Sequence, residues 1–79
     1  MKTIRYSSDA LKSLRRHRAE AASIIAKIER YAETRAGDVK RLVGAPTTRL
    51  RVGEFRVIFT ETAVEISVLA IGPRGSVYD

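Results

Sequence analysis

Arginines recur at regular spacing in the middle of this chain, in the segment Arg49-Leu50-Arg51-Val52-Gly53-Glu54-Phe55-Arg56-Val57-Ile58-Phe59. In an extended strand, Arg49 and Arg51 point to one face while Leu50 and Val52 point to the other. Arg56 lies on the polar side of a second alternating run, after a turn at Gly53-Glu54. A sheet face with several arginines is suited to a polyanion, because guanidinium groups form bidentate hydrogen bonds with phosphate. The alternative interpretation is an ordinary solvated basic face.

Two further residues near the end of the chain extend this pattern. Arg74 follows the last predicted strand, and Tyr78 comes four residues later. If the tail folds back along the sheet edge, both approach Arg56. Arginines neutralise the charge that develops on phosphate oxygens in a transition state, and a tyrosine hydroxyl near positive charge can relay a proton to or from a ribose 2′-OH. This set predicts metal-free RNA cleavage; the alternatives are a turn residue at Arg74 and a packed ring at Tyr78.

The charge balance narrows the class of partner. The chain has 15 Lys and Arg against 9 Asp and Glu, which gives a net charge of +6. Such a bias favours nucleic acid, an anionic membrane surface or an acidic protein as the partner. The absence of cysteine and the single histidine argue against a thiolate metal site, a zinc site or a histidine catalytic pair. We therefore expect no metal and no cofactor.

The length and the chain start set the broad class. At 79 residues the chain is expected to form one domain, spanning residues 1–79, with one small core. The first residues lack the apolar run of a signal peptide, and no segment approaches transmembrane length. We expect a cytoplasmic protein with no membrane partner.

Hydrophobic periodicity predicts the order of the elements. Ser8 is the expected N-cap of the first helix, and Gly37 is the expected stop of the second. In the last strand, Val64, Ile66, Val68 and Ala70 are expected to share one face. The predicted strands cover residues 2–6, 48–52, 55–60 and 63–71, the helices cover 9–16 and 19–35, and a loop covers 38–47.

This order predicts an α+β fold with two layers. The N-terminal strand and a helical hairpin pack on an antiparallel sheet of three to four strands, with the helices on one side of the sheet.

The pattern as a whole resembles the RelE/ParE toxin superfamily, the toxic halves of bacterial toxin–antitoxin pairs. The resemblance runs over essentially the whole chain, and the hairpin is its specific motif. The matching pieces are Tyr6 to Leu14, Arg41-Leu42-Val43-Gly44, the hairpin from Arg49 to Phe59, and Gly72-Pro73-Arg74-Gly75-Ser76-Val77-Tyr78. The chain departs from the family where Pro73 replaces a common histidine and where Phe55 and Phe59 replace tyrosines.

The resemblance implies ribosome-dependent cleavage of mRNA with a 2′,3′-cyclic phosphate as the product. It implies that Arg56 stabilises the phosphate in the transition state, that Arg74 helps with charge or the leaving group, and that Tyr78 orients or activates the 2′-OH. It implies that Arg49 and Arg51 bind RNA, and we expect Arg41 to bind RNA as well.

The resemblance also implies partners and rival functions. The expected partners are a cognate antitoxin protein, mRNA on the ribosome, and ribosomal RNA. One alternative is a ParE-like inhibitor of DNA gyrase without nuclease activity. Another is a catalytically weakened member that only binds its antitoxin.

Overall fold

Residues 2–41, 44 and 46–73 are described by the structure, which is a computed structural model. The elements are β1 (Thr3–Tyr6), α1 (Ser8–Arg16), α2 (Arg18–Thr34), β2 (Asp38–Arg41), β3 (Thr47–Val52), β4 (Phe55–Glu61) and β5 (Glu65–Pro73). The strands form one sheet of five in the order β1-β5-β4-β3-β2. The predicted α+β fold is confirmed. The sheet has one more strand than the largest number predicted, and it is mixed, because β1 runs parallel to β5.

The additional strand is β2, which occupies the start of the segment predicted as a loop. It pairs antiparallel with β3, with Asp38 opposite Arg51 and Lys40 opposite Arg49. All four of its residues are exposed. Backbone pairing with β3 at the sheet edge holds this strand in place, and Val39, 36% exposed, is its one apolar residue.

The helices cover one face of the sheet and build the core against it. α1 packs on β5, and α2 packs on β3 and β1. The rings of Tyr31 and Phe59 lie 5.4 Å apart between the two layers. The buried core consists of Ala10, Leu14, Ile24, Ile28, Tyr31 and Ala32 from the helices and Leu50, Val52, Val57, Phe59, Ile66, Val68 and Ile71 from the sheet. In the described part of the chain, no helix packs on the opposite face of the sheet, here called the outer face.

A β-bulge in β5 changes which residues of that strand reach the core. Ile58 pairs with Ala70 whereas Phe59 pairs with Val68, so Leu69 is an extra residue without a cross-strand partner. The bulge shifts the alternation, and Ile71 rather than Ala70 joins the core. The prediction that Ala70 shares the face of the buried valine at position 68 was therefore wrong.

Ser7 joins the first helix to this bulge. Its hydroxyl oxygen accepts a hydrogen bond from the Ala10 backbone N–H at 3.0 Å and donates one to the Leu69 carbonyl at 2.7 Å. The N-cap is thus Ser7, one residue before the predicted Ser8. The same hydroxyl satisfies a helix N–H and fixes the helix start on the sheet.

The second helix ends at Thr34 with Arg35 as its C-cap, whereas Gly37 was the predicted stop. Arg35 adopts a left-handed conformation with φ 66°, and its backbone N–H donates to the Tyr31 carbonyl. Its guanidinium lies 4.9 Å from the centre of the Tyr31 ring, a cation–π contact that offsets part of the cost of this backbone conformation. Gly37 serves another need, because a Cβ there would lie 2.9 Å from Leu50 Cδ1.

Glu61, at the end of β4, links distant parts of the chain. Its side chain is 9% exposed and accepts hydrogen bonds from Lys2 at 2.5 Å, from the Tyr31 hydroxyl at 3.1 Å and from Arg35. Burial acts to raise the pKa of the Glu61 carboxyl, but these donors outweigh it and hold the pKa below its ordinary value. Conversely, burial and the hydrogen bond to Glu61 raise the pKa of the Tyr31 hydroxyl.

We predict that Glu61→Gln lowers the free energy of unfolding at pH 7 by about 1–3 kcal/mol, because three donors lose their charged acceptor. A carboxyl with a lowered pKa in the folded state stabilises the fold above its unfolded-state pKa. That stabilisation is lost as the pH falls through the folded-state pKa. Urea unfolding is measured from pH 7 to below pH 4.5, the ordinary pKa of a glutamate carboxyl. Over this range the free energy of unfolding should fall more steeply for wild type than for the variant.

Glu65→Gln is the matched control for this measurement. Glu65 also forms an ion pair, with Arg5 at 3.2 Å, but the two side chains are 33% and 74% exposed. Exposed pairs contribute about 0–1 kcal/mol. If the free energy of unfolding falls equally with pH in wild type and in Glu61→Gln, the role given to the Glu61 carboxylate is contradicted.

Candidate functional site

Three of the predicted site arginines come together on the outer face. Strand alternation buries Leu50 and Val52 against the helices and turns Arg49 and Arg51 outwards. Arg56 is the direct cross-strand partner of Arg51. The hairpin therefore places the guanidinium groups of two neighbouring strands side by side, as the sequence predicted.

Strand β2 adds two charged residues that the sequence analysis did not include. Asp38 and Lys40 alternate outwards opposite Arg51 and Arg49. A concavity of about 250 Å³ results, which we call the arginine concavity; its lining residues are Asp38, Lys40, Arg49, Arg51 and Arg56. Only the two-residue spacing of Asp38 and Lys40 indicated a strand within the predicted loop. The sequence therefore contained little evidence that these two residues belong to the site.

The charges of the arginine concavity are strongly unequal. Four of its five residues are cationic, and Asp38 is its one carboxylate. Arg51 is exposed and its Nε donates to the Gly53 carbonyl at 3.2 Å, while Arg49 and Arg56 are half-buried. Like charges directly opposite each other in a sheet destabilise it. A surface that retains such a cluster is suited to an anionic ligand that neutralises it.

Strand β5 borders the arginine concavity on its other side. Gly72 pairs with Arg56, and Pro73 pairs with Phe55. The described part of the chain therefore ends beside the strand that carries Arg56. The predicted catalytic residues Arg74 and Tyr78 lie outside the described residues.

Arg41, the remaining predicted RNA-binding residue, is not part of the arginine concavity. It pairs with the buried Thr48 and so projects from the face opposite to that of Lys40. With Pro46, Thr48 and Glu61 it lines a separate pocket of about 160 Å³. Its positive charge acts to lower the pKa of the Tyr31 hydroxyl, against the larger effect of burial. The structure separates Arg41 from the other predicted RNA-binding residues.

His17 lies on the helix side, at the junction between α1 and α2. Its ring packs edge-on against Phe55, with centroids 4.9 Å apart. It follows the last residue of α1 and precedes the first residue of α2. These contacts assign it a structural role at the junction.

Two further findings concern metal binding and membrane-spanning helices. Within residues 2–41, 44 and 46–73, no group of three or more Cys, His, Asp or Glu side chains is arranged to bind a metal ion. None of the helices in the described part of the chain is long and apolar enough to cross a membrane.

Comparison with known proteins identifies the fold. The chain superposes on the archaeal RelE-RelB complex from Pyrococcus horikoshii OT3 with a TM-score of 0.77 and 21% identity, over 96% of this chain and 98% of that one. It superposes on the RelB-RelE antitoxin-toxin complex from Methanococcus jannaschii with a TM-score of 0.73 and 22% identity, over 95% of each chain. For YafQ from E. coli strain BL21(DE3) the TM-score is 0.79 at 10% identity, over the whole of both chains.

The fold is that of the RelE-like toxins. The sequence itself matches no protein-family model, and no curated protein matches it significantly. The similarity therefore lies in the RelE-like fold, and the arginine concavity is the feature of this chain that bears on its chemistry.

We predict that Asp38→Asn destabilises the protein by about 0.2–1 kcal/mol at low salt, because Asp38 is the one carboxylate among the described residues that line the arginine concavity. The difference should shrink at high salt, where the repulsion among the cations is screened. Urea unfolding at two ionic strengths measures both effects. Glu54→Gln removes an exposed charge from the hairpin turn and should show a smaller salt response. A stabilising effect of Asp38→Asn at low salt would contradict this account of the concavity.

Proposed function

We propose that this chain is the toxin of a type II toxin–antitoxin system and that it cuts mRNA on the ribosome. The observation that supports this most directly is the pairing of Arg51 with Arg56 on the outer face of a RelE-like fold. At 10–22% identity the structural neighbours support only the fold. The choice of substrate rests on the arginine concavity and on the tail residues Arg74 and Tyr78.

In this proposal the scissile phosphate binds between Arg51 and Arg56. Arg56 is half-buried, and its backbone is paired with a strand on each side, opposite Arg51 and Gly72. A guanidinium that is fixed before the substrate arrives stabilises developing charge without having to reorganise. Arg51 is exposed and supplies the second positive charge. Arginine suits this role because its planar donors match the oxygens of a phosphate.

The proposed reaction is an attack by the ribose 2′-oxygen on the adjacent phosphorus. The bond between the 2′-oxygen and phosphorus forms as the bond from phosphorus to the 5′-oxygen breaks. The 2′-OH gives up its proton and the leaving 5′-oxygen gains one, so the products are a 2′,3′-cyclic phosphate and a 5′-hydroxyl. We assign Tyr78 to the 2′-OH and Arg74 to the charge on the leaving group.

The proposal includes an antitoxin as the partner of the free protein. Two of the structural neighbours are complexes of RelE with RelB. The cationic outer face of this chain fits an acidic, helix-forming segment, because opposite charges steer association and are neutralised on binding. Covering the arginine concavity would block the proposed site directly.

We predict that Arg56→Ala lowers the rate of cleavage of ribosome-bound mRNA by about 10²–10³-fold, the usual cost of removing one preorganised transition-state donor. Tyr78→Phe should lower the rate as well, because it removes the hydroxyl assigned to the 2′-OH. Primer extension on mRNA from a purified translation reaction measures both rates.

Arg5→Ala is the matched control for Arg56→Ala. Arg5 is an exposed arginine of β1, at the other edge of the sheet, and its cross-strand partner is Ser67. The control should cut mRNA at the wild-type rate. Intact mRNA together with gyrase-dependent DNA damage in cells producing the wild-type protein would refute the nuclease proposal and favour the ParE-like alternative.

We predict that the antitoxin protects the outer face. In hydrogen exchange, backbone amides of β2 and β3 should exchange more slowly in the complex, and affinity should fall as salt rises. The charge reversal Arg49→Glu should weaken binding of the antitoxin by at least tenfold.

The alternative binding site for the antitoxin is an apolar groove of about 710 Å³ between α1 and α2, whose lining includes Leu11, Leu14 and Ile25. Protection confined to that groove, with the arginine concavity unaffected, would contradict this prediction.

A further inference from the structure

The residues in and beside the arginine concavity fall into two rows that run across the strands. The first row is Asp38, Arg51 and Arg56, and the second is Lys40, Arg49 and Ile58. The rows lie two residues apart along the strands, which is about 6.6 Å at roughly 3.3 Å per residue. The proposed function uses only the cations of the first row for chemistry. Lys40 has no role in it.

We propose that Lys40 and Arg49 form a second phosphate site, so that the outer face binds two consecutive phosphates of one RNA strand. This inference rests on the proposed function only in taking RNA as the ligand. It assigns Lys40 as a substrate-positioning residue, and it makes β2 a functional part of the sheet.

The negative charge of Asp38 determines where the first phosphate lies. In the first row, β2 contributes this carboxylate, which repels phosphate, while β3 and β4 contribute arginines. The first phosphate therefore binds over the β3–β4 side of the row, between Arg51 and Arg56. This is the side that borders Gly72 in β5.

The second row has the opposite arrangement. There β4 contributes Ile58, which is 5% exposed and apolar, and its neighbour in β5 is Ala70. The cations of this row, Lys40 and Arg49, lie on β2 and β3. The second phosphate therefore binds over the β2–β3 side. The two sites are displaced diagonally, so the bound RNA crosses the sheet from β4 towards β2.

The two sites also differ in the donors they present. A lysine ammonium is a compact charge on a flexible stem, whereas paired arginines form a rigid set of donors. The first site suits a phosphate that must be held in one geometry for reaction. The second site suits a neighbouring phosphate that is bound but does not react. Loss of this site should weaken substrate binding and leave the rate of the chemical step unchanged.

The test uses short oligoribonucleotides with 2′-O-methyl groups, which cannot be cut, and needs no ribosome. A dinucleotide carries one phosphate and a trinucleotide carries two. Lys40→Ala should weaken trinucleotide binding about fivefold to tenfold and leave dinucleotide binding unchanged. The slope of log affinity against log salt for the trinucleotide should fall by about 0.7, the value for one phosphate contact on a single strand. NMR titration measures both ligands.

Two variants separate this role from general effects of charge or folding. Lys40→Arg should retain the affinity and the salt slope, and Lys27→Ala, which removes an exposed lysine from α2, should match wild type. Equal weakening of both oligonucleotides by Lys40→Ala, no weakening of either, or no RNA binding by wild type would overturn the inference. If the protein cuts mRNA but Lys40→Ala does not weaken trinucleotide binding more than dinucleotide binding, the proposed function stands and only the second phosphate site is refuted.

Discussion

The pairing register between β3 and β4 is the constraint on which both the core and the candidate site depend. Gly53 and Glu54 form a two-residue turn between Val52 and Phe55, with φ of 59° at Gly53. A glycine at the first central position is typical of a type II′ turn, whose twist matches that of the flanking strands. A slip of one residue would turn the buried face of β3 outwards and bury its arginines. Packing and charge therefore select the same register.

The stabilising contacts and the candidate functional residues lie on opposite faces of one sheet. The core and the Glu61 ion pairs lie on the helix side, where Tyr31 and Arg35 also pack. The outer face has the like charges Arg51 and Arg56 in direct opposition. Such a cluster works against folding. The core and the Glu61 ion pairs offset this cost, and an anionic ligand would remove it.

The sequence predicted the elements that are set by burial. The periodicity of α2 matched its buried residues Ile24, Ile28 and Tyr31, and the alternation of β3 matched its two faces. Strand β2 was missed because its residues are all exposed, so no apolar pattern marks it. The outward residues it adds to the site, Asp38 and Lys40, were missed with it.

The other differences arise from contacts that a linear pattern does not contain. The bulge at Leu69 shifts the alternation of side chains within an apolar run, and the Ser7 hydroxyl that binds its carbonyl comes from the start of the chain. The left-handed Arg35 is supported by its contacts with Tyr31 and Glu61. Arg41 was predicted to bind RNA together with Arg49 and Arg51, but its place in β2 turns it to the opposite face.

The central claim is that the outer face of the sheet is the RNA-binding surface. An NMR titration with uncut, 2′-O-methylated single-stranded RNA tests it most directly, because side-chain Nε–H resonances report on individual arginines. We expect the resonances of Arg49, Arg51 and Arg56 to shift together, with the amides of α1 and α2 unchanged. Shifts confined to the two helices, with these arginine resonances unchanged, would contradict the account.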